Sequence, residues 1–454
     1  MMRHIRAVVI PSYLILVLLL GGASAAGFFA NMLLQLMAIP IIAWAVLARR
    51  ATPMPRASRQ LLALALPLLL LLALQIVPLP PSIWTGLPGR GEIVSGYRLL
   101  GMPLPSLPVS VVPHLTIASA LWLLPALAVL LGIIRLGAFR PLSIALVLIG
   151  VTTASIAWGA VQRSGNQAAY LYQITNYGVA TGFFSNANHL ATLMMATIPF
   201  VAAVYLAAKD KSRSQQRDSA LLVLLAGAVG VVVVGIAING SLAGLGLSAP
   251  VLMVSGLMLL SRKRKIPAWS MLPLIALTLV AVLLVFSRPL GNNLTAGDPR
   301  LSPVSRSTSF ANTLDAARDY FPIGSGVGSF NTIYPMYEDP TTMTTTYVNH
   351  AHSDFLEIAL EAGLPGLLLL GLFLLWWSRR AIAIWRAPEP DQFARAATVA
   401  TAAIIAHSLV DYPLRTAAIS AVFAACCALM ADARPAKTQR EAKRAGGARH
   451  LSAD

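Results

Sequence analysis

An all-helical integral membrane fold, with about twelve spans and one large external loop, is predicted by three observations. Hydrophobic residues make up 57% of the chain and charged residues only 11%, with a mean hydropathy of +0.72. Soluble domains carry about a quarter charged residues. Runs such as 28–48 and 61–77 are long enough to cross a bilayer, which takes roughly 17–25 apolar residues. In hydrocarbon the backbone must satisfy its own hydrogen bonds, so these spans are expected to be helices.

Taken in order, the spans fall at roughly 7–25, 28–48, 61–77, 114–133, 141–160, 187–207, 220–238, 242–260, 269–286, 356–378, 396–411 and 416–431. With a cytoplasmic N-terminus, 26 of the 34 Lys and Arg fall on cytoplasmic segments and 8 on the other side. The acidic residues split the opposite way, 7 inside and 10 outside. This bias is a topology signal, so the net charge of +17 is read as orientation and not as a nucleic-acid surface. Both termini are then cytoplasmic. The organisation is a single membrane domain over 1–433, with a basic cytoplasmic tail over 434–454. Arg3, Arg6, the first apolar run and Ala23-Ser-Ala25 resemble a signal peptide. Retention as a span is favoured, because the second span follows almost without a gap. Cys426 and Cys427 are adjacent in the last span and read as small packing residues, with no metal-ligand spacing.

Chemistry has room only in the outer segments. One runs over 78–113 and is rich in Pro and Gly; a second, 161–186, carries Arg163 and several Tyr; the largest, 287–353, is 67 residues long. A loop of that length inside a compact bundle is usually functional or disordered. Within it, 309–320 is predicted as an amphipathic helix with Phe310, Leu314 and Ala317 on one face.

His350-Ala-His352-Ser353 closes that loop, directly ahead of an apolar helix. Asp354, Glu357 and Glu361 follow at spacings that share one helical face. A carboxylate beside a histidine raises its basicity and fixes its tautomer, which suits a general base taking a proton from a hydroxyl. The alternative is an interfacial histidine that only caps the helix. Gly324-Ser-Gly326-Val-Gly328 offers backbone N–H groups to a phosphate or forms a tight turn. Asn186, Asn188 and His189 cluster where the sixth span enters the membrane, as caps or as part of a polar pathway. His407, Asp411 and Arg415 form a further patch, in which Asp411 and Arg415 are able to pair across a turn. Any bound diphosphate needs guanidinium partners, and Arg306 and Arg163 are the best placed of the eight outer arginines.

The order of these motifs resembles the O-antigen ligase and polymerase family of bacterial envelope proteins. The family pattern is His, then Asn, Ser or Gln, nine residues, then Gly-x-x-Gly; His352-Ser353 and Gly363-Leu-Pro-Gly366 fit it. Further matches are Gly182–Leu190, Phe321–Phe330, His407–Arg415, and Ile76–Pro81 with Leu87–Arg90. The resemblance implies inverting, metal-independent glycan transfer on the periplasmic face of the inner membrane, with no cofactor. The donor is a glycan on undecaprenyl diphosphate, held in membrane lipid, and the acceptor is a hydroxyl of lipid A-core or of a growing glycan. His352 then activates the acceptor, and Arg306, Arg163, His350, Asn186, Asn188, Arg415 and Asp411 are candidate substrate-binding residues. One departure stands out: the family's Ser-Arg pair between the seventh and eighth spans is Ser241-Leu242 here. Competing readings are a protein O-oligosaccharyltransferase and a transporter or non-catalytic partner in polysaccharide export. Transporters place charges near the midplane of broken helices; this chain keeps nearly all of them in loops.

Overall fold

The computed structural model describes residues 2–25, 28–49, 53–137, 139–212, 214–260, 306–340, 348–389 and 391–431, with isolated helical residues between 276 and 283. Among these residues the chain is helical. The first ten helices are α1 Met2–Leu20, α2 Phe29–Leu47, α3 Arg56–Gln75, α4 Pro81–Trp84, α5 Gly91–Leu99, α6 Pro113–Leu131, α7 Pro141–Arg163, α8 Ala187–Lys209, α9 Gln215–Asn239 and α10 Leu242–Leu260. There follow α11 Arg306–Asp319, the single turn α12 Phe330–Ile333, α13 Asp354–Arg386, α14 Gln392–His407 and α15 Ala417–Ala431.

Among the described residues, eight helices are long and apolar enough to cross a membrane: α2, α3, α6 with its π-helical extension to Leu136, α7, α8, α9, α10 and α13. Three more predicted spans, the first and the last two, overlap α1, α14 and α15, which do not meet that measure of length and apolarity. The ninth, 269–286, lies almost wholly outside the described residues, as do the 434–454 tail and much of the 287–353 loop.

α8 is the central post, 83% buried over its apolar stretch, whereas α9 is only 22% buried. Around α8, the alanine-rich α14 and α15 are buried along nearly their whole length. Small side chains let helix backbones approach closely where lipid offers no hydrophobic drive for association. Interhelical hydrogen bonds add to this packing, as between Thr152 and Thr197 at 2.8 Å and from Trp377 Nε1 to Thr401 Oγ1 at 2.7 Å. Leu66, Leu70, Val223, Leu224 and Leu368 stay exposed on the outer faces, as expected of lipid-facing positions.

The two ends of the bundle differ in character. At one end, Arg135 binds the carbonyls of Ala45, Val46 and Ala48, and Arg380 binds the carbonyl of Met430. At the other, the long connections pack on one another. Gly22 O accepts from Ser185 N, Ser110 N donates to Gln75 O, and Val111 N donates to Ser325 O. The 78–112 segment is tied down by a bridge between Leu79 and Leu107 and by Arg90, buried against the carbonyls of Pro108 and Val109. Arg90 is therefore spent on backbone oxygens.

The expected 309–320 helix forms as α11, but its buried face differs. Ser309, Thr313, Ala316, Ala317 and Tyr320 point inward, while Leu314 is 40% exposed. Small residues allow α11 to lie close on α13, and Tyr320 supplies the bulk by packing over Gly89. Size at the contact outranked hydrophobicity in choosing the face.

Candidate active site

The site grows from the start of α13. Ser353 caps that helix through its hydroxyl, and Asp354, Glu357 and Glu361 are all buried on its inward face. The helix is broken by Gly363, whose φ of 54° and ψ of −147° lie outside the helical region. The break lets the backbone of 360–364 bond to the glycine-rich turn: Leu364 N donates to Pro322 O at 2.8 Å, Ser325 N to Leu360 O at 2.9 Å, and Gly326 N to Glu361 O at 2.9 Å. A Cβ on Gly363 would collide with the carbonyl of Pro322, and one on Gly324 would lie 2.7 Å from the carbonyl oxygen of Glu361. Gly324 and Gly363 thus serve close backbone approach. The turn's N–H groups also have an anion, supplied by the protein: Glu361 Oε1 accepts from Gly328 N at 2.9 Å and Phe330 N at 3.3 Å. Gln75, a lone amide at the end of a leucine-rich span, ties the same turn to α3, accepting from Val327 N at 2.9 Å and donating to Glu361 O at 3.0 Å.

Arg415 does not pair with Asp411. It reaches into the carboxylate row of α13, with Glu361 Oε2 at 3.0 Å, Glu357 Oε1 at 3.3 Å and Asp354 Oδ1 at 3.6 Å. Burial alone would lower the Arg415 pKa; the three carboxylates outweigh it and raise the pKa above the usual guanidinium value. A short 3-10 turn over Pro413–Arg415 aims the side chain away from Asp411 and toward α13.

The two histidines of the loop divide between two carboxylates. His350 Nδ1 lies 2.8 Å from Glu357 Oε1, and its Nε2 lies 3.3 Å from the carbonyl oxygen of Ser24. Burial would lower the His350 pKa, but the Glu357 carboxylate overrides it, so the value is raised. His352 instead faces Asp411, with Nδ1 and Oδ1 3.5 Å apart. Its backbone φ of 52° lies in the left-handed region, which a residue with a side chain seldom occupies. That twist turns the side chains of His350 and His352 to different partners. Asp411 is wholly buried; burial would raise its pKa, and the His352 hydrogen bond with the neighbouring imidazoles holds it well below the usual carboxylate range.

Tyr412 is the hub between these groups. Its ring lies 4.4 Å from that of His350, 5.0 Å from His352 and 5.0 Å from His189. Its hydroxyl is 3.3 Å from both Asn186 Nδ2 and Asn349 Nδ2. Burial first, then the Asp411 charge, pushes this phenol far above its usual pKa, so it stays protonated. Asn186 also caps α8, accepting from Asn188 N at 2.8 Å, and Asn188 Oδ1 accepts from Ser241 Oγ at 2.7 Å. Leu242 packs with Ala243 and Val410, directly beside Asp411 in sequence. The position that differs from the family pattern therefore borders the site.

An apolar cavity of about 530 Å³ opens beside this cluster. Its charged end is made by His350, Asp354, Glu357, Glu361 and Arg415, and leucines of α3, α6 and α13 line the rest down to Cys427. His352 does not line it.

His350, Asn186, Asn188, Asp411, Arg415 and His352 thus come together. Arg163 stands exposed at the C-terminal end of α7, while its neighbour Gln162 is buried and binds Gly182 and Thr181. Arg306 begins α11, and its side chain lies outside the described residues. Sequence reasoning missed Tyr412 and Gln75. Tyr412 stood inside a quoted motif without being singled out, and a buried amide ending a leucine run is itself a signal.

No curated protein matches the chain. A family match spans 226–371, from within α9 to beyond the break in α13, so it contains His350, His352 and Gly363 but not Asp411 or Arg415. The matching family is that described as O-antigen ligase (Wzy_C), so the stretch over 226–371 is similar to that family.

Proposed function

We propose that the protein transfers a glycan from a lipid diphosphate to an acceptor hydroxyl, with His352 as the general base. The donor in this reading is undecaprenyl diphosphate-linked, the acceptor is lipid A-core or a growing glycan, and the reaction runs with inversion and without a metal. It takes place at the periplasmic face of a bacterial inner membrane, in a twelve-span protein with both termini cytoplasmic. The observation that carries the proposal is the His352–Asp411 pair: a buried carboxylate at Nδ1 orients the ring and leaves the basic lone pair on Nε2.

The apolar cavity beside the carboxylate row has the polarity for a prenyl chain. Arg415 is committed to three carboxylates and is assigned here to holding His350's partner Glu357 in place. Diphosphate binding is assigned to Arg163 and Arg306. In this reading Arg306→Ala raises the donor KM; an unchanged KM and rate exclude that residue.

Deletion of the gene followed by gel analysis of lipopolysaccharide and capsule tests the function. Loss of all long chains on lipid A marks a ligase, and single-repeat caps mark a polymerase. An intact profile of both removes the proposal and leaves protein glycosylation or a non-catalytic export role.

A further inference from the structure

Four of the seven histidines in the chain, His189, His350, His352 and His407, gather around two consecutive residues, Asp411 and Tyr412. His350 is accounted for by Glu357 and Ser24. His407 is not: it lies at the end of α14, wholly buried, and nothing in the transfer chemistry calls on it. Its Nε2 is 3.9 Å from Asp411 Oδ2, while His352 Nδ1 is 3.5 Å from Oδ1. The two imidazoles stand at opposite oxygens of one carboxylate. On its far side His407 Nδ1 is 2.7 Å from Thr192 Oγ1, which is also 2.9 Å from Asn188 O.

The protons can be placed by elimination. A lone pair on Nε2 would face a carboxylate oxygen in a site where both residues are wholly buried, an arrangement low dielectric makes costly. The proton on Nε2 therefore faces Oδ2 across 3.9 Å, an electrostatic contact longer than a hydrogen bond. Thr192 suits either state of Nδ1, since its hydroxyl can donate to a bare nitrogen or accept from N–H while donating to Asn188 O. Oδ1 also accepts from Tyr412 N at 2.9 Å. Oδ1 is thus fixed by a backbone N–H, and Oδ2 feels the His407 imidazole across 3.9 Å, beyond hydrogen-bond length, so that contact acts through charge and packing.

We propose that His407 is a positioning residue for His352, acting through the carboxylate they share, Asp411. This rests on the reading of His352 as the base. The groups facing Asp411 are His352 from the loop, His189 from α8, His407 from α14, and Tyr412 beside it. α10 brings Leu242 and Ala243 against Val410, and the charges of α13 are turned to Arg415 and His350. Removing the His407 N–H strips Asp411 of one of its imidazole partners. Its charge then acts more fully on His352, which holds its proton to higher pH, and the carboxylate gains freedom to rotate.

Two amide substitutions separate positioning from bulk structure. The Gln amide nitrogen stands where Nε2 stands, and the Asn amide nitrogen where Nδ1 stands. In membranes supplied with the lipid-linked donor, His407→Gln is expected to keep the wild-type pH profile. His407→Asn is expected to lower kcat about tenfold or more, with donor KM within about twofold, and to move the acid limb up by about one pH unit. Equal behaviour of the two variants, whether both normal or both impaired, overturns the proposal. His352→Ala is run beside them: normal transfer by that variant overturns the base assignment, whereas its loss together with identical Asn and Gln profiles overturns only the role of His407.

Discussion

The Nδ1 of His352 lies 3.5 Å from the Oδ1 of Asp411, a pairing between residues far apart in sequence that a left-handed backbone at the histidine makes possible. His352→Ala is expected to abolish glycan transfer at unchanged membrane abundance. Asp411→Asn should cost on the order of a hundredfold, because an amide can present N–H to Nδ1 and favour the wrong tautomer. Normal surface polysaccharide in the His352→Ala strain, with protein verified by immunoblot, would falsify the assignment.

Arg415 is the guanidinium that meets Asp354, Glu357 and Glu361 together on the inward face of α13. Removing one partner from a buried charge cluster typically costs about 3–5 kcal/mol. Arg415→Ala should therefore lower the thermal transition of the purified protein in detergent sharply, and Arg415→Lys much less. A transition unmoved by Arg415→Ala would show that the carboxylates find another partner or a proton.

Gly363 holds a backbone conformation that a side chain strains, and a Cβ would strike Pro322. Gly363→Ala is expected to detach the 322–328 turn from α13 and reduce both abundance and transfer. Gly371, on the same helix with open space around its Cα, is the control; Gly371→Ala should be neutral. Equal tolerance of both substitutions, read by protease sensitivity of the loop, would contradict the close approach described here.

His350 gives a pH signature. Burial depresses its pKa, but Glu357 raises it above the unfolded value, so its contribution to stability is complete below the unfolded imidazole pKa. That contribution fades as pH rises through the higher folded value. Thermal stability in detergent should thus decline from mildly acidic toward alkaline pH, and Glu357→Gln should flatten the decline. A slope of the opposite sign, or one that survives Glu357→Gln, would remove the His350–Glu357 pair as its source.

The amino-acid sequence determined the helical membrane class, the positions of most spans and the residues that carry charge at the active end. These follow from local quantities: run length, apolarity and the bias of Lys and Arg, each readable without knowing any contact. Which carboxylate serves which histidine was decided only in three dimensions. Asp354, Glu357 and Glu361 stand next to His352 in sequence, yet they turn to Arg415 and His350, while Asp411 from a distant turn takes His352. The inward face of α11 was settled the same way, since close packing against α13 favoured Ser309, Thr313 and Ala316 over Leu314. Pairings of this kind depend on the direction a backbone takes at single residues, His352 and Gly363, and on the meeting of helix ends far apart along the chain.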